Sequence, residues 1–215
     1  MSKVVIGIPC MDTVSTSFFS SVLAQRYDQV HQYLYAIEAG SMVYDARGRI
    51  AQRAINSGAD WLVMYDSDMI LTPETTMALL DTAMGKEFVS GLYFMRRLPT
   101  KPLILKDLDW YEDEALGAQD VAEVYEDYPK RSVFEIAGCG FGCCIMSVEM
   151  IKRMTVAYRM NPFTPMPRLS EDYSFCWRAR KLGYKLWCDS RIRPGHAGLW
   201  VYGEGDWERQ REAEG

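Results

Sequence analysis

Apolar positions in the first ninety-odd residues follow two periods. Val4-Val5-Ile6-Gly7-Ile8 and Trp61-Leu62-Val63-Met64-Tyr65 are short continuous runs. Runs of that length with no polar face suit central strands covered on both sides. Tyr33-Leu34-Tyr35-Ala36-Ile37 and Phe88-Val89-Ser90-Gly91-Leu92-Tyr93 read as two further strands. Between the strands the period lengthens. Residues 18–27 carry an apolar helix pattern, and Val43, Ala46, Ile50 and Ala54 share one side of a helix over 42–57. Asn56-Ser57-Gly58 stops that helix. Pro73 opens the next, with Glu74 at its start and Gly85 past its end. Strands alternating with helices predict an α/β chain with a mostly parallel central sheet and helices on both faces.

The second half changes character. Residues 107–127 hold nine acids and no Lys or Arg, and are expected to form a mobile surface excursion or lid. Phe134 to Met146 is apolar, with glycine at every second position from Gly138 to Gly142. Such glycines let a backbone or ligand approach closely. A short helix is expected over 147–154, an extended loop over the three prolines of 161–167, and a helix over 173–182 closed by Gly183. Ser170 is placed as the N-cap of that helix, with Glu171 and Asp172 at its favourable end. Lys185 to Cys188 reads as a strand, and Arg193 to Gly198 is turn-rich. The tail, 204–215, is charged, lacks an apolar face and is expected to fray.

Composition narrows the class. The chain has 215 residues, 48% hydrophobic, 25% charged, with a net charge of −5. That fits one soluble domain, here residues 1–203, and gives no general pull toward nucleic acid or an anionic membrane. The first residues run straight into a strand pattern without a signal-peptide layout. The six cysteines match no zinc spacing and no secreted disulfide framework. Reduced thiols and a cytoplasmic location are therefore expected. The glycines of 138–142 are not a dinucleotide fingerprint, and no phosphate-binding Gly-Lys-Ser/Thr loop occurs.

Chemistry first suggests itself after the run 61–65. Asp66 and Asp68 follow it, separated by Ser67. If the strand continued, both carboxylates would point the same way. Like charges that close need a compensating cation or donors, and open α/β sheets bind ligands at the carboxyl ends of their strands. A divalent-metal site and a solvated strand-to-loop turn both fit this stretch. Arg47, Arg49 and Arg53 read either as ligand contacts or as the solvated face of a helix. His196 reads as a ligand or a loop anchor, and His31 as an ordinary surface residue.

Taken together, several motifs resemble one enzyme class. Gly58-Ala-Asp-Trp-Leu-Val-Met-Tyr-Asp66-Ser67-Asp68 resembles the metal motif of glycosyltransferases with the GT-A fold. Ser170-Glu171-Asp172 and the following helix resemble the acidic motif of the family 2 type, and Pro194-Gly195-His196 its late histidine. Ala46-Arg47-Gly48-Arg49 is similar to the arginine-bearing segment of the donor half, and Ala137 to Gly142 to the segment before the acceptor site. The resemblance implies a GT-A-like, Rossmann-like domain with a donor half of about 1–95 and an acceptor half of about 96–203. It implies transfer of a sugar from a nucleotide-sugar donor, a UDP-sugar, to an acceptor hydroxyl with inversion. Asp66, Asp68 and His196 would hold Mn2+ or Mg2+. Pro9, Cys10, Arg47, Asp66 and Ser67 would line the donor. Gly140 and Glu171 would face the acceptor, and Asp172 would be the general base, its pKa lowered by the helix start. A sugar-phosphate nucleotidyltransferase is a weaker fit, because the loop after the first strand lacks basic residues. A nucleotide-binding scaffold without turnover is the non-enzymatic alternative.

Overall fold

The apolar runs of the sequence lie side by side in one sheet. The computed structural model describes residues 1–40, 42–198 and 200–214. In chain order it contains β1 (Lys3–Cys10), α1 (Thr16–Leu23), β2 (Gln32–Ala39), α2 (Val43–Asn56), β3 (Trp61–Tyr65), β4 (Met69–Ile70) and α3 (Thr75–Ala83). Next come β5 (Phe88–Gly91), β6 (Ile104–Asp113), β7 (Gly117–Val124), β8 (Val133–Ile136), β9 (Gly138–Cys139) and β10 (Cys143–Ser147). The chain ends with α4 (Val148–Tyr158), α5 (Glu171–Lys181), β11 (Leu186–Asp189), β12 (Gly195–Ala197), β13 (Val201–Tyr202) and α6 (Glu204–Glu214).

The main sheet has seven strands in the order β2-β1-β3-β10-β5-β11-β8. β1 pairs in parallel with β2 and β3, and β5 with β11. β10 runs antiparallel between β3 and β5, and β8 antiparallel beside β11. The sheet is thus mostly parallel, with two reversed strands. Alternation along β1 shows how it is covered. Val4, Ile6 and Ile8 join a cluster with Phe18 and Val22 of α1 and Leu79 and Leu80 of α3. Val5 joins the opposite cluster, with Ile50 and Ala54 of α2, Ile151 of α4 and Phe175 of α5. Each large side chain so buried contributes about 1.5–3 kcal/mol. Among the described residues no helix is long and apolar enough to cross a membrane.

Gly7 is needed where α2 crosses β1. A Cβ at position 7 would collide with Ile50 Cγ2 and lie 3.1 Å from Met64 Sδ. Gly7→Ala is expected to cost about 1–3 kcal/mol by overpacking. A thermal melt should show a fall of about 2–4 °C for each kcal/mol. An unchanged melting point would mean that Ile50 can shift without cost.

Two sequence expectations give way. Residues 107–127, expected as a mobile surface excursion or lid, are largely a paired hairpin of β6 and β7. Leu108 is buried, and the Trp110 Nε1–H donates to Pro167 O at 2.9 Å. Neither strand alternates buried with exposed positions, so the pairing left no two-residue period in the sequence. The tail is likewise not frayed but forms α6. Its Trp207 is buried against Phe94 with ring centroids 6.5 Å apart. Glu204 accepts from Lys130 at 2.6 Å and pairs with Arg193. One large apolar anchor and a buried carboxylate hold a helix that shows no apolar stripe.

Candidate functional site

The carboxyl ends of β1 and β3 open onto one cleft of about 270 Å³, lined by Pro9, Cys10, Asp66, Ser67, Asp68 and Arg96 among others. β3 stops at Tyr65, and the chain turns at once, with Met69 N–H donating to Asp66 O at 3.1 Å. Asp66, Ser67 and Asp68 therefore lie in a turn, and strand alternation does not govern them. Their carboxylates find different partners.

Asp66 is turned to Arg47. The Arg47 guanidinium donates to Asp66 Oδ1 and to Glu171 Oε1, each at 2.6 Å. Arg47 is only 2% exposed, and its Cζ lies 5.5 Å from the centre of the Phe141 ring. Burial works against its charge, but Asp66, Glu171 and Asp172 outweigh burial and hold its pKa above the ordinary value. Its Nε is buried without a hydrogen-bond partner. Arg47 thus ties the end of β3 to the start of α5. Arg49 and Arg53 of the same helix pair with Glu38 at 2.8 and 2.6 Å.

Asp68 faces the other way. Its backbone carbonyl accepts from Ala197 N–H at 2.8 Å, which fixes the turn to β12. Its Oδ2 lies 2.6 Å from Arg96 Nη1 and 3.4 Å from His196 Nε2. Its Oδ1 is buried and has no hydrogen-bond partner. Burial raises the Asp68 pKa, but the contact and charge of His196, and then Arg96, outweigh it and hold the carboxyl below its ordinary value. His196 Nδ1 lies 2.7 Å from Phe94 O. A carbonyl only accepts, so that nitrogen carries the proton, and Nε2 faces Asp68, where it donates when the ring is charged and offers its lone pair when the ring is neutral.

These two residues fit a divalent cation in part. A partnerless buried carboxylate oxygen and an imidazole nitrogen oriented from behind are the donors and the outer support that such an ion uses. Among the described residues, however, no group of three or more His, Cys, Asp or Glu could hold a metal by itself. The structure brings Asp68 and His196 together and commits Asp66 to Arg47. A hard cation held by one carboxylate commonly completes its shell with substrate phosphates and water.

Asp172 lies at the start of α5, across Arg47 from Asp66. The sequence placed Ser170 as a side-chain cap. Its backbone does precede the helix, but its hydroxyl donates to Asp172 Oδ1 rather than capping a backbone N–H. The Tyr173 N–H also donates to Asp172 Oδ1, at 2.8 Å. The expected lowering of the Asp172 pKa is reversed. Burial, then repulsion from Glu171, raises it to about 6, although Arg47, Ser170 and the Tyr173 N–H pull it down. Desolvation beside a like charge exceeds the helix-end effect. A Cβ at Gly140 would sit 3.6 Å from Asp172 Oδ2 and collide with Tyr93 Oη, so only glycine leaves that approach open.

Sequence reasoning missed Arg96 and Tyr93. Tyr93 Oη accepts from Gly142 N–H at 2.8 Å, and its ring meets His196 edge-on at 5.5 Å. Tyr93 ends the run read as a strand over 88–93 and Arg96 lies just beyond it, where the basic pair Arg96-Arg97 was the available signal. Cys139, Cys143, Cys144, Cys176 and Cys188 are buried and Cys10 half-buried, all unpaired. Burial pushes the Cys143 thiol up to about 12.

No family model matches the chain, and no curated protein matches it. Comparison with solved structures defines the class of fold, which is GT-A-like. A197 from STIV matches 92% of this chain and 86% of its own, with a TM-score of 0.62 and 16% identity. GalNAc-T7, crystallised with UDP, GalNAc and Mn2+, matches 99% of this chain with a TM-score of 0.59 and 10% identity. The chain spans 48% of that protein.

Proposed function

We propose that this chain is a metal-dependent glycosyltransferase acting on a nucleotide-sugar donor, a UDP-sugar, with inversion. The observation that carries the reading is the buried, partnerless Asp68 Oδ1 beside the inward-facing Nε2 of His196, at the mouth of the cleft. The UDP and Mn2+ bound by GalNAc-T7 support it from a protein of similar fold. Asp68 and His196 would hold Mn2+ or Mg2+, which when bound neutralises charge on the leaving diphosphate.

In this reading the base and ribose of the donor lie along Pro9, Cys10, Asp66 and Ser67. Arg47 is too buried to touch the donor and acts by holding Asp66 and Glu171. Glu171, committed to Arg47, keeps the acceptor-side helix in place. The acceptor enters beside Gly140. Its oxygen bonds to the anomeric carbon, its proton passes to Asp172, and the carbon–oxygen bond to the diphosphate breaks with its electron pair on the diphosphate.

Hydrolysis of a panel of nucleotide sugars, with and without Mn2+, tests this. Metal-dependent release of UDP from one donor is expected, abolished in Asp68→Asn with little change in melting point. Mn2+ affinity should fall on the order of tenfold or more in His196→Ala. Wild-type turnover in Asp68→Asn would remove the metal from this site. Diphosphate release from a nucleoside triphosphate with a sugar phosphate would instead favour the nucleotidyltransferase.

A further inference from the structure

Arg96 occupies a position that no sequence motif marks. It lies on the loop between β5 and β6, which is pinned at its base. Met95 N–H donates to Lys101 O at 2.9 Å, Leu103 N–H to Tyr93 O at 2.9 Å, and Thr100 Oγ1 to Met95 O at 2.8 Å. Beyond that base the Arg96 side chain is 58% exposed. It reaches into the cleft and donates to Asp68 Oδ2 at 2.6 Å. Only one oxygen of Asp68 is so engaged, while Oδ1 stays buried and partnerless.

We propose that Arg96 is the resident counter-ion of Asp68 in the metal-free protein and a diphosphate-binding group once metal and donor are present. The inference rests on the glycosyltransferase reading and adds a residue to it. A carboxylate with one oxygen buried and partnerless needs a cation, and the exposed guanidinium supplies one at little cost in mobility. A divalent ion at Asp68 supplies the same charge more strongly and releases the guanidinium. The pinned loop keeps the freed group at the rim of the cleft, where a diphosphate accepts two hydrogen bonds from its planar fork. No backbone movement is needed, because the side chain alone changes rotamer.

Two binding measurements on the intact chain test this. Arg96→Met keeps the aliphatic stem and removes the charge. Mn2+ titration, followed by loss of the free-ion paramagnetic resonance signal, should show about threefold tighter binding, because an exposed competing ion pair is gone. UDP affinity at saturating Mn2+ should fall about tenfold or more, because charge-assisted hydrogen bonds to the diphosphate are lost. Uridine affinity should not move. Arg96→Met with Mn2+ and UDP affinities both unchanged would leave Arg96 as a surface ion pair and overturn the inference alone. Weaker Mn2+ binding in that variant would also overturn it, by making Arg96 a support of the metal site. Mn2+ uptake in Asp68→Asn equal to that of wild type would overturn the metal-dependent glycosyltransferase reading, and this inference with it.

Discussion

Asp172→Asn is expected to lower turnover on the order of 10²-fold or more, with donor and metal affinity little changed. The wild-type rate should fall on the acid side with a midpoint near the raised Asp172 value of about 6. That value makes Asp172 a stronger base than an ordinary carboxylate while leaving it mostly ionised at neutral pH. The same shift carries an opposite effect on stability. A carboxyl whose folded pKa is raised favours the folded state when protonated, fully so below its ordinary value of about 4. That contribution is lost as pH rises through about 6, and the ionised group is then a cost of about 1–3 kcal/mol. Asn carries no charge, so the variant should melt higher than wild type at pH 7.5 and equal to it near pH 4. Paired melting curves and rate profiles check both effects. Wild-type turnover in the variant would place the base elsewhere, and a lower melting point at pH 7.5 would show that the ionised Asp172 is not a cost to the fold.

Arg47→Met is expected to be the most destabilising single change at the site, by about 3–5 kcal/mol. It would leave Asp66 and Glu171 without the shared cation that now bonds both. At about 2–4 °C per kcal/mol for a chain of this size, the melting point should drop by about 10 °C. The acid limb of the rate profile should move to higher pH, because Arg47 now pulls the Asp172 pKa down. Arg47→Lys should restore little, since one ammonium cannot bridge two carboxylates as the planar fork does. Combining Arg47→Met with Asp66→Asn and Glu171→Gln should recover most of the lost stability without recovering turnover. Removing a whole buried ionic group is less costly than breaking it. A melting point of Arg47→Met within a degree of wild type would show that water already screens the cluster.

The strands were legible wherever one side chain after another is apolar, as in β1, β3 and β5. The helix α2 was legible because four positions repeat at the helical spacing. Direction was not legible. Phe134 to Met146 stood out only for its glycines, and nothing local says that Cys143 to Ser147 forms a strand running backward between β3 and β5. At the site, residue types pointed to Asp66, Asp68, Glu171, Asp172 and His196. Partners were hidden, because the Arg47 bridge joins positions 124 residues apart, and Arg96 meets Asp68 across 28. The Asp172 pKa was misjudged for the same reason. A helix start is visible in sequence, whereas burial beside Glu171 is a property of the packed structure.

The placement of β10 has a consequence for how the chain reaches its folded state. β10 sits between β3 and β5, so both strands lack a neighbour on that side until residue 147 has emerged from the ribosome. Residues 1–95 contain the cleft-forming ends of β1 and β3, yet they cannot close their own sheet. A nascent or truncated chain ending there would present two unpaired strand edges, which are templates for aggregation. Closing that gap joins segments about eighty residues apart, a high contact order that slows folding. The half of the chain over residues 1–95 is therefore not an exchangeable module. Chimeras cut near residue 95 should be assembled with β10 from the same parent.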